Sequence, residues 1–454
     1  MRNGKGWDRG LPAAGPGRTY ENREDDVTDA HQIPRPRTGI WLIGARGSVA
    51  TTALTGAAAL AAGLHPPTGM VTEAAPFGPC SLPPLDSFVF GGHDTVSCPL
   101  PKRAEILAEA GVLPHGLPSA LHAELAKADT AIRPGAAAGD PRGEEELIDT
   151  YAADLTAFTR EHDLARTVVI NVASTEPHPP HDAPLPPSSR YAAAALRAGC
   201  PYVNFTPSTG LHHPRLAEAA RTARVPFAGR DGKTGQTLLR SVLAPMFAQR
   251  SLAVRAWSGS NLLGGGDGAA LADPAAAAAK NAGKERVLAD NLGHLPEGEV
   301  HIDDVPAMGE WKTAWDHIAF DGFLGSRMVL QTIWQGCDSA LAAPLVLDLA
   351  RLLARADEAG LTGPVDGLGF YFKDPDSGPG DLPGQWRALL GLAQRLTPGG
   401  ERAATGAARG GDGPEAAAAV VGEGRETVTT LGGDGSAAPP DQGGPATART
   451  GEAR

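Results

Sequence analysis

The sequence predicts an α/β fold: a doubly wound, mostly parallel sheet followed by a second, α+β region. Three observations carry this. Short apolar runs alternate with helical patterns from residue 39 to about residue 230. The first of them, within "WLIGARGSVATTALTG" (41–56), passes through glycine into a small-residue helix. Beyond residue 240 strand patterns follow one another, interrupted by one alanine-rich helix. Alternation implies parallel strands with helices packed on them, whereas consecutive strands beside a helix imply α+β.

In order, the expected strands of the first region are "GIWLIGA", "GMVTEA", "SFVFGG", "RTVVINVAST", "YVNFTPS" and "VPFAG". Between them the helical patterns are "ALTGAAALAAGL", "PKRAEILAEAGVL", "EEELIDTYAADLTAFTREH" and "SRYAAAALRAG". "EPHPPHDAPLPPSSR" (176–190) reads as a surface loop, its prolines breaking either pattern. In the second region "LAVRAWSGSNLL", "EVHIDDVPA", "DHIAFDGFLG" and "RMVLQTIWQG" read as strands. The helix between them starts at Asp273 and Pro274: a capping oxygen, then a residue whose missing N–H is not needed there. Helix 339–360 is apolar enough to return and cover the first sheet. Residues 1–37 and 398–454 hold few large apolar side chains and read as disordered tails, because they bury too little to offset the entropy of ordering.

Charge and cysteine usage narrow the function. Across 454 residues, 40 Lys and Arg against 52 Asp and Glu give a net charge of −12, so nucleic acid and anionic membrane are not expected as partners. Any phosphate site is then a local pocket. The four cysteines (Cys80, Cys98, Cys200, Cys337) are far apart, which argues against structural zinc and a disulfide framework and favours a reducing, cytoplasmic setting. No apolar run is long enough to span a bilayer and the N-terminus has no signal-peptide core.

The opening stretch has Gly44, Gly47 and Ala50, a GxxGxxA spacing that allows two close approaches of backbone to a dinucleotide phosphate. Arg46 stands where the usual fingerprint has glycine, and could point outward to neutralise phosphate charge. The acidic residue expected downstream is Glu73 or Asp94. "PFAGRDGKTGQTLLRSVLAPMF" (226–247) contains GKT, but Phe227 occupies the place of the first Walker glycine, so it is not a P-loop. It is a polar turn entering a helix through Thr234, Gly235, Gln236 and Thr237, with Lys233 adding a cation. Hydroxyls and a helix N-terminus suit a phosphate monoester; an ordinary N-cap by Thr234 or Thr237 is the plainer alternative. Lys280 and Lys284 lie at i, i+4, either solvated or sharing an anion. Lys312 beside Trp311 and Lys373 after an aromatic strand are suited to partial burial and acid–base work; Asp316 follows Lys312 in the stretch GEWKTAWDHIAF.

In this order GARGSVATT, FGGHD, VASTE, YVNFTPS, AGRDGKTGQT, N-x-L-G-x-x-DG, the KxxxK helix, WKTAWD, CDS-x-LAAPLVLDL and FYFK resemble the inositol-3-phosphate synthase family, in its archaeal/bacterial form, over about 39–396. The resemblance implies an NAD-binding Rossmann domain (38–237 and 338–397) with an inserted catalytic and tetramerisation domain (238–337), assembled as a homotetramer. It implies isomerisation of D-glucose 6-phosphate to 1D-myo-inositol 3-phosphate by oxidation at C5, enolisation, aldol closure and reduction. Its active-site lysines fall on Lys280, Lys284, Lys312 and Lys373, and Asp231 of the phosphate turn and Asp267 of the N-x-L-G-x-x-DG loop match further catalytic positions. Phosphate binding falls on Lys233 and Thr234–Thr237, and Asn261 on a further substrate loop. NAD contacts fall on Gly44, Gly47, Ser48, Val49, Asp94, Val172, Ala173, Ser174, Thr175, Asp338 and Ser339. The archaeal branch is associated with a divalent cation, for which the sequence offers no ligand spacing. One departure stands out: the family's GN(N/T)DG is GGGDG here, with Gly265 and Gly266 replacing polar side chains. The alternative activity is therefore a related cyclitol-phosphate synthase acting on another sugar phosphate, such as fructose 6-phosphate.

Overall fold

The structure is a computed structural model and describes residues 36–137, 139–177, 183–265, 268 and 274–399. The expected tails, except residues 36, 37, 398 and 399, lie outside the described residues, as do Asp267 and Asp273.

Strands β1 (Arg37–Ile43), β2 (Phe88–Asp94), β3 (Ile132–Pro134), β4 (Leu164–Asn171), β5 (Tyr202–Asn204) and β6 (Pro226–Gly229) join with β11 (Gly363–Pro364) in one sheet. Its order is β11-β6-β5-β4-β1-β2-β3, with every pairing parallel. Apart from β11 this is the 3-2-1-4-5-6 order of the Rossmann fold, in which the order reverses between β1 and β4. A crevice opens there at the carboxyl ends of the strands.

The helices of this half are α1 (Ser48–Ala61), α2 (Leu100–Glu109), α3 (Leu117–Ala120), α4 (His122–Asp129), α5 (Glu144–Glu161), α6 (Pro187–Arg197) and α7 (Ala217–Thr222). Four follow: α8 (Gly235–Gln249), α9 (Pro274–Leu292), α10 (Asp338–Glu358) and α11 (Leu382–Leu396). Side chains alternate across a strand, so a strand buried on both faces feeds two cores. β1 does so. Ile40 and Leu42 pack with Val168, Ile170 and Val203 and with Val346, Leu349, Ala350 and Leu353 of α10. Trp41 and Ile43 pack on the other side with Tyr151, Leu155 and Phe158 of α5 and Ala192 and Ala195 of α6.

The second sheet has the order β10-β9-β7-β8, from β7 (Ala253–Leu263), β8 (Val300–Asp304), β9 (Lys312–Asp321) and β10 (Arg327–Gly336). β7 is parallel to β8 and antiparallel to β9, and β9 is antiparallel to β10. One face is covered by α8 and α9 through Phe247, Trp257, Leu288 and Ile318. Among the described residues no helix is long and apolar enough to cross a membrane.

Two expected strands are not strands. In "GMVTEA" residues Val71–Glu73 form a 3-10 turn, because the N–H groups of Val71 and Thr72 donate to the buried carboxylate of Asp348 (2.8 and 3.0 Å) rather than to a neighbouring strand. In "GLGFYF", Leu368–Tyr371 is likewise a 3-10 turn, entered through Gly367 at φ +103°. That turn buries Leu368 and Tyr371 together in the core. The proline-rich stretch gives way to α6 at Pro187. β3, α3 and α4 carry too short an apolar pattern to be read from the sequence.

Candidate active site

The crevice is a cleft of about 560 Å³ at the carboxyl ends of β1, β2 and β4, closed on the other side by elements of the second sheet. At its first end lie Gly44, Gly47, Ser48 and Val49 of the β1–α1 turn, Asp94 at the end of β2, and Val172, Ala173, Ser174 and Thr175 after β4. Gly44 has φ +82°, and a Cβ there would lie 2.8 Å from Ala173 Cα, so the turn needs glycine twice over. The turn is tied down by the carbonyl of His93, which accepts from the N–H groups of Gly44 and Ala45 (3.0 and 3.2 Å). His93 itself is buried: Trp41 Nε1 donates to its Nδ1 (3.1 Å) and its Nε2 meets Asp154 (3.0 Å). Burial lowers the pKa of this imidazole, against the opposing pull of Asp154.

Of the two acidic residues, Asp94 is the one that lines the cleft, at the tip of β2. Its carboxylate already accepts from the N–H groups of Arg46 (2.6 Å) and Val96 (2.7 Å), which fixes its orientation. Glu73 instead pairs with Arg351. Arg46 does not reach outward: its guanidinium is held by Asp129 (2.9 Å) and the Val96 carbonyl (2.9 Å).

At the other end, Thr234, Gln236, Thr237, Asp231, Lys284, Lys312, Lys373, Asp338 and Ser339 line the same cleft. Thr234 occupies the N-cap of α8 in an extended conformation but makes no side-chain capping bond, so the plainer reading of this threonine does not hold. Its hydroxyl and the first N–H groups of α8, at Gly235, Gln236 and Thr237, stand together at the positive end of a helix. Gln236 is fixed from behind: its Nε2 donates to Asp316 (2.8 Å) and its Oε1 accepts from Asn261 (3.0 Å). Asp316 also accepts from Arg240 and Trp257 Nε1, both at 2.8 Å. Asn261 thus supports the turn and does not itself line the cleft.

Two amine–carboxylate pairs face the cleft. Lys373 Nζ lies 2.7 Å from Asp231 Oδ1, with both side chains buried. Lys312 Nζ lies 2.8 Å from Asp338 Oδ2. Lys284 is buried on α9, whose Gly283 passes Asp231 so closely that a Cβ would lie 3.2 Å from Oδ2. Lys280 belongs to the same helix, but its side chain lies outside the described residues.

Lys233 is placed elsewhere. An antiparallel bridge pairs Gly232 with Phe372, and the N–H of Lys233 donates to Tyr371 O (2.8 Å). The side chain then runs towards α11, where Nζ donates to Gln385 Oε1. Burial brings its pKa down to about 7, with Asp381 opposing. The expected phosphate cation is therefore a buried strut. Among the described residues no three His, Cys, Asp or Glu side chains gather in a way that could hold a metal ion, so the cation of the archaeal branch finds no ligand set there.

Sequence reasoning named Asp316 without its role in holding Gln236, and missed His93, Arg240 and Arg103, which shape the cleft or hold its walls. Only the adjacency of His93 to Asp94 in FGGHD was a local signal for any of them.

The parallel sheet, with its cleft at the switch point and its paired lysines, defines a Rossmann-type enzyme. The family model described as Myo-inositol-1-phosphate synthase matches residues 235–339. Inositol-3-phosphate synthase 1 of Bacteroides thetaiotaomicron is 30% identical over 413 residues, covering 78% of this chain and 94% of that protein. In fold, the chain is similar to the crystal structure of inositol-3-phosphate synthase from Caenorhabditis elegans (TM-score 0.71, 22% identity, 80% and 86% of the two chains). It is also similar to a myo-inositol-1-phosphate synthase-related protein from Thermotoga maritima (TM-score 0.64, 22% identity, 78% and 99%). The chain belongs to the inositol-3-phosphate synthase family, whose members are isomerases.

Proposed function

We propose that this protein binds NAD at the glycine-turn end of the cleft and D-glucose 6-phosphate at the lysine end, and isomerises the sugar to 1D-myo-inositol 3-phosphate. The observation that carries this reading is convergence: Lys284, Lys312 and Lys373, from three separate elements, share one cleft with the uncapped Thr234 and the Gly44 turn. Fit to the dinucleotide is supported by the crowded Gly44 cradle, by Asp94 at the tip of β2, and by Ser339 Oγ, which is buried without a hydrogen-bond partner on the cleft wall.

Bound NAD would supply hydride acceptance and return at C5 of the sugar. The chain supplies the rest. Thr234, Thr237 and the N-terminus of α8 anchor the phosphate, so that the reacting carbons are held over the lysines and the ring closure becomes intramolecular in an oriented chain. Each amine–carboxylate pair can give up a proton from its ammonium to a developing oxyanion at C5 or C1 while its carboxylate keeps the amine aimed. Asp231 and Asp338 are thus orienting partners of Lys373 and Lys312. Lys284, beside Asp231 in the cleft wall, adds a third amine to the same region.

A homotetramer is part of the proposal. The face of the second sheet turned away from α8 and α9 carries Val329 and Ile333, 56% and 74% exposed, on edge strand β10, with Phe323 and Leu324 in the preceding turn. An exposed apolar row of this kind is an expected interaction surface. Light scattering of the purified protein gives the mass directly.

The test of function is incubation of the purified protein with NAD and either glucose 6-phosphate or fructose 6-phosphate, with products identified by NMR. Inositol phosphate from glucose 6-phosphate, with no net accumulation of NADH, is the expected result. A five-membered cyclitol from fructose 6-phosphate alone would replace it with the alternative activity, and accumulating NADH would identify a simple dehydrogenase.

A further inference from the structure

We propose that Arg103 is the cation that meets the phosphates of the dinucleotide, and that Glu310 holds it in waiting. The proposal rests on the dinucleotide reading of the cleft. That site has a charge problem: two phosphates must be accepted by a chain of net charge −12, and Arg46, the cation nearest in sequence, is spent on Asp129. Arg103 projects from α2 into the cleft wall. Its terminal nitrogen NH2 donates to Ser48 Oγ at the start of α1 (2.7 Å) and to Glu310 Oε1 (3.1 Å). Among the described residues both bonds leave from that one nitrogen, so the remaining N–H groups of the planar fork are left for a ligand.

Glu310 comes from the loop just ahead of Lys312, and two glycines, Gly264 shared with the family pattern and Gly265 departing from it, explain how close that loop comes. A Cβ on Gly264 would lie 2.7 Å from Val305 O and 2.8 Å from Gly309 O. On Gly265, at φ +65°, it would lie 3.1 Å from Gly309 O and 3.7 Å from Glu310 Oε1. The missing side chains at these two positions let residues 305–310 close in, with Glu310 Oε1 beside Arg103. Glu310 neutralises the guanidinium while the site is empty and competes with the phosphates when they arrive. Arg103 therefore strengthens binding and Glu310 restrains it.

Opposite signs for the two members of one ion pair distinguish this from a plain structural bridge, whose loss from either side has the same effect. The experiment is calorimetric titration of the nucleotide-stripped full-length protein with NAD, ADP-ribose and adenosine. Losing a charge-assisted hydrogen bond to phosphate costs about tenfold or more in affinity. Arg103→Gln is expected to weaken NAD and ADP-ribose by that factor and leave adenosine unchanged. Arg103→Lys should recover part of the loss, and Glu310→Gln should bind NAD as tightly as the wild type or more tightly. A change under threefold in Arg103→Gln, an equal loss for adenosine, or weakening by Glu310→Gln would overturn the proposal. A wild-type protein that binds neither NAD nor ADP-ribose would remove the dinucleotide reading itself.

Discussion

Asp316→Asn is the most informative single substitution, because it removes a charge while keeping the shape. Asp316 is 2% exposed and Arg240 1%. Besides this carboxylate, the guanidinium has the face of the Trp257 ring, 5.6 Å from its centre. Leaving a buried charge without its counter-ion costs about 3–5 kcal/mol. The hydrogen bonds are more forgiving. The new amide nitrogen would face Gln236 Nε2, donor against donor, but Gln236 can flip, and Asn261 after it, since the buried Oδ1 of Asn261 has no partner. The reversed chain restores both bonds, and one oxygen of the new side chain still accepts from Arg240. The loss should then sit near the low end, about 3 kcal/mol. Urea unfolding followed by circular dichroism should show the midpoint moving down with an unchanged slope. Gln236 also carries one of the N–H groups at the start of α8, so KM for the sugar phosphate should rise more than kcat falls. An unmoved midpoint together with an unmoved KM would refute the idea that this buried carboxylate holds the phosphate turn.

Three further outcomes are expected. Lys312→Ala or Lys373→Ala should abolish turnover while calorimetry still detects NAD binding; near-normal turnover in both would show that the lysines do not carry the chemistry. Replacing Thr234 and Thr237 with valine should weaken sugar-phosphate binding chiefly, seen as a raised KM. Lys233 gives a pH signature: its pKa is about 7 when folded against 10.5 as the ordinary value, so in that window the unfolded chain binds the extra proton and stability rises with pH. Lys233→Met should therefore stabilise the protein most at or below pH 7, with the gain shrinking towards pH 10 in urea melts.

The order of elements was legible because strands and helices of a doubly wound sheet announce themselves by period and by glycine. The two misread strands failed for a reason outside their own sequence. "GMVTEA" is apolar and extended enough, but the carboxylate of Asp348 takes its N–H groups first. The sequence also set candidate site residues in a recognisable order, and three of its four lysines, Lys284, Lys312 and Lys373, line one cleft. Their partners were not legible, since Asp231 is 142 residues from Lys373 and no spacing rule connects them. The direction of a side chain was equally hidden: Lys233 sits in the phosphate turn by sequence yet points beneath α11. The roles of Asp316 and Arg103 arise from long-range contacts and leave no local trace.

Helix α10 has a consequence for how the chain is made. β1 to β6 are complete by residue 229, but the face bearing Ile40, Leu42, Val168, Ile170 and Val203 is sealed by a helix that begins only at Asp338. At about 5–20 residues per second, synthesis leaves that greasy surface bare for several seconds on the ribosome. A nascent chain in that interval is exposed to mispairing with its neighbours on the same message, and production in the cell should respond to translation speed and to holding chaperones more than the finished fold would suggest.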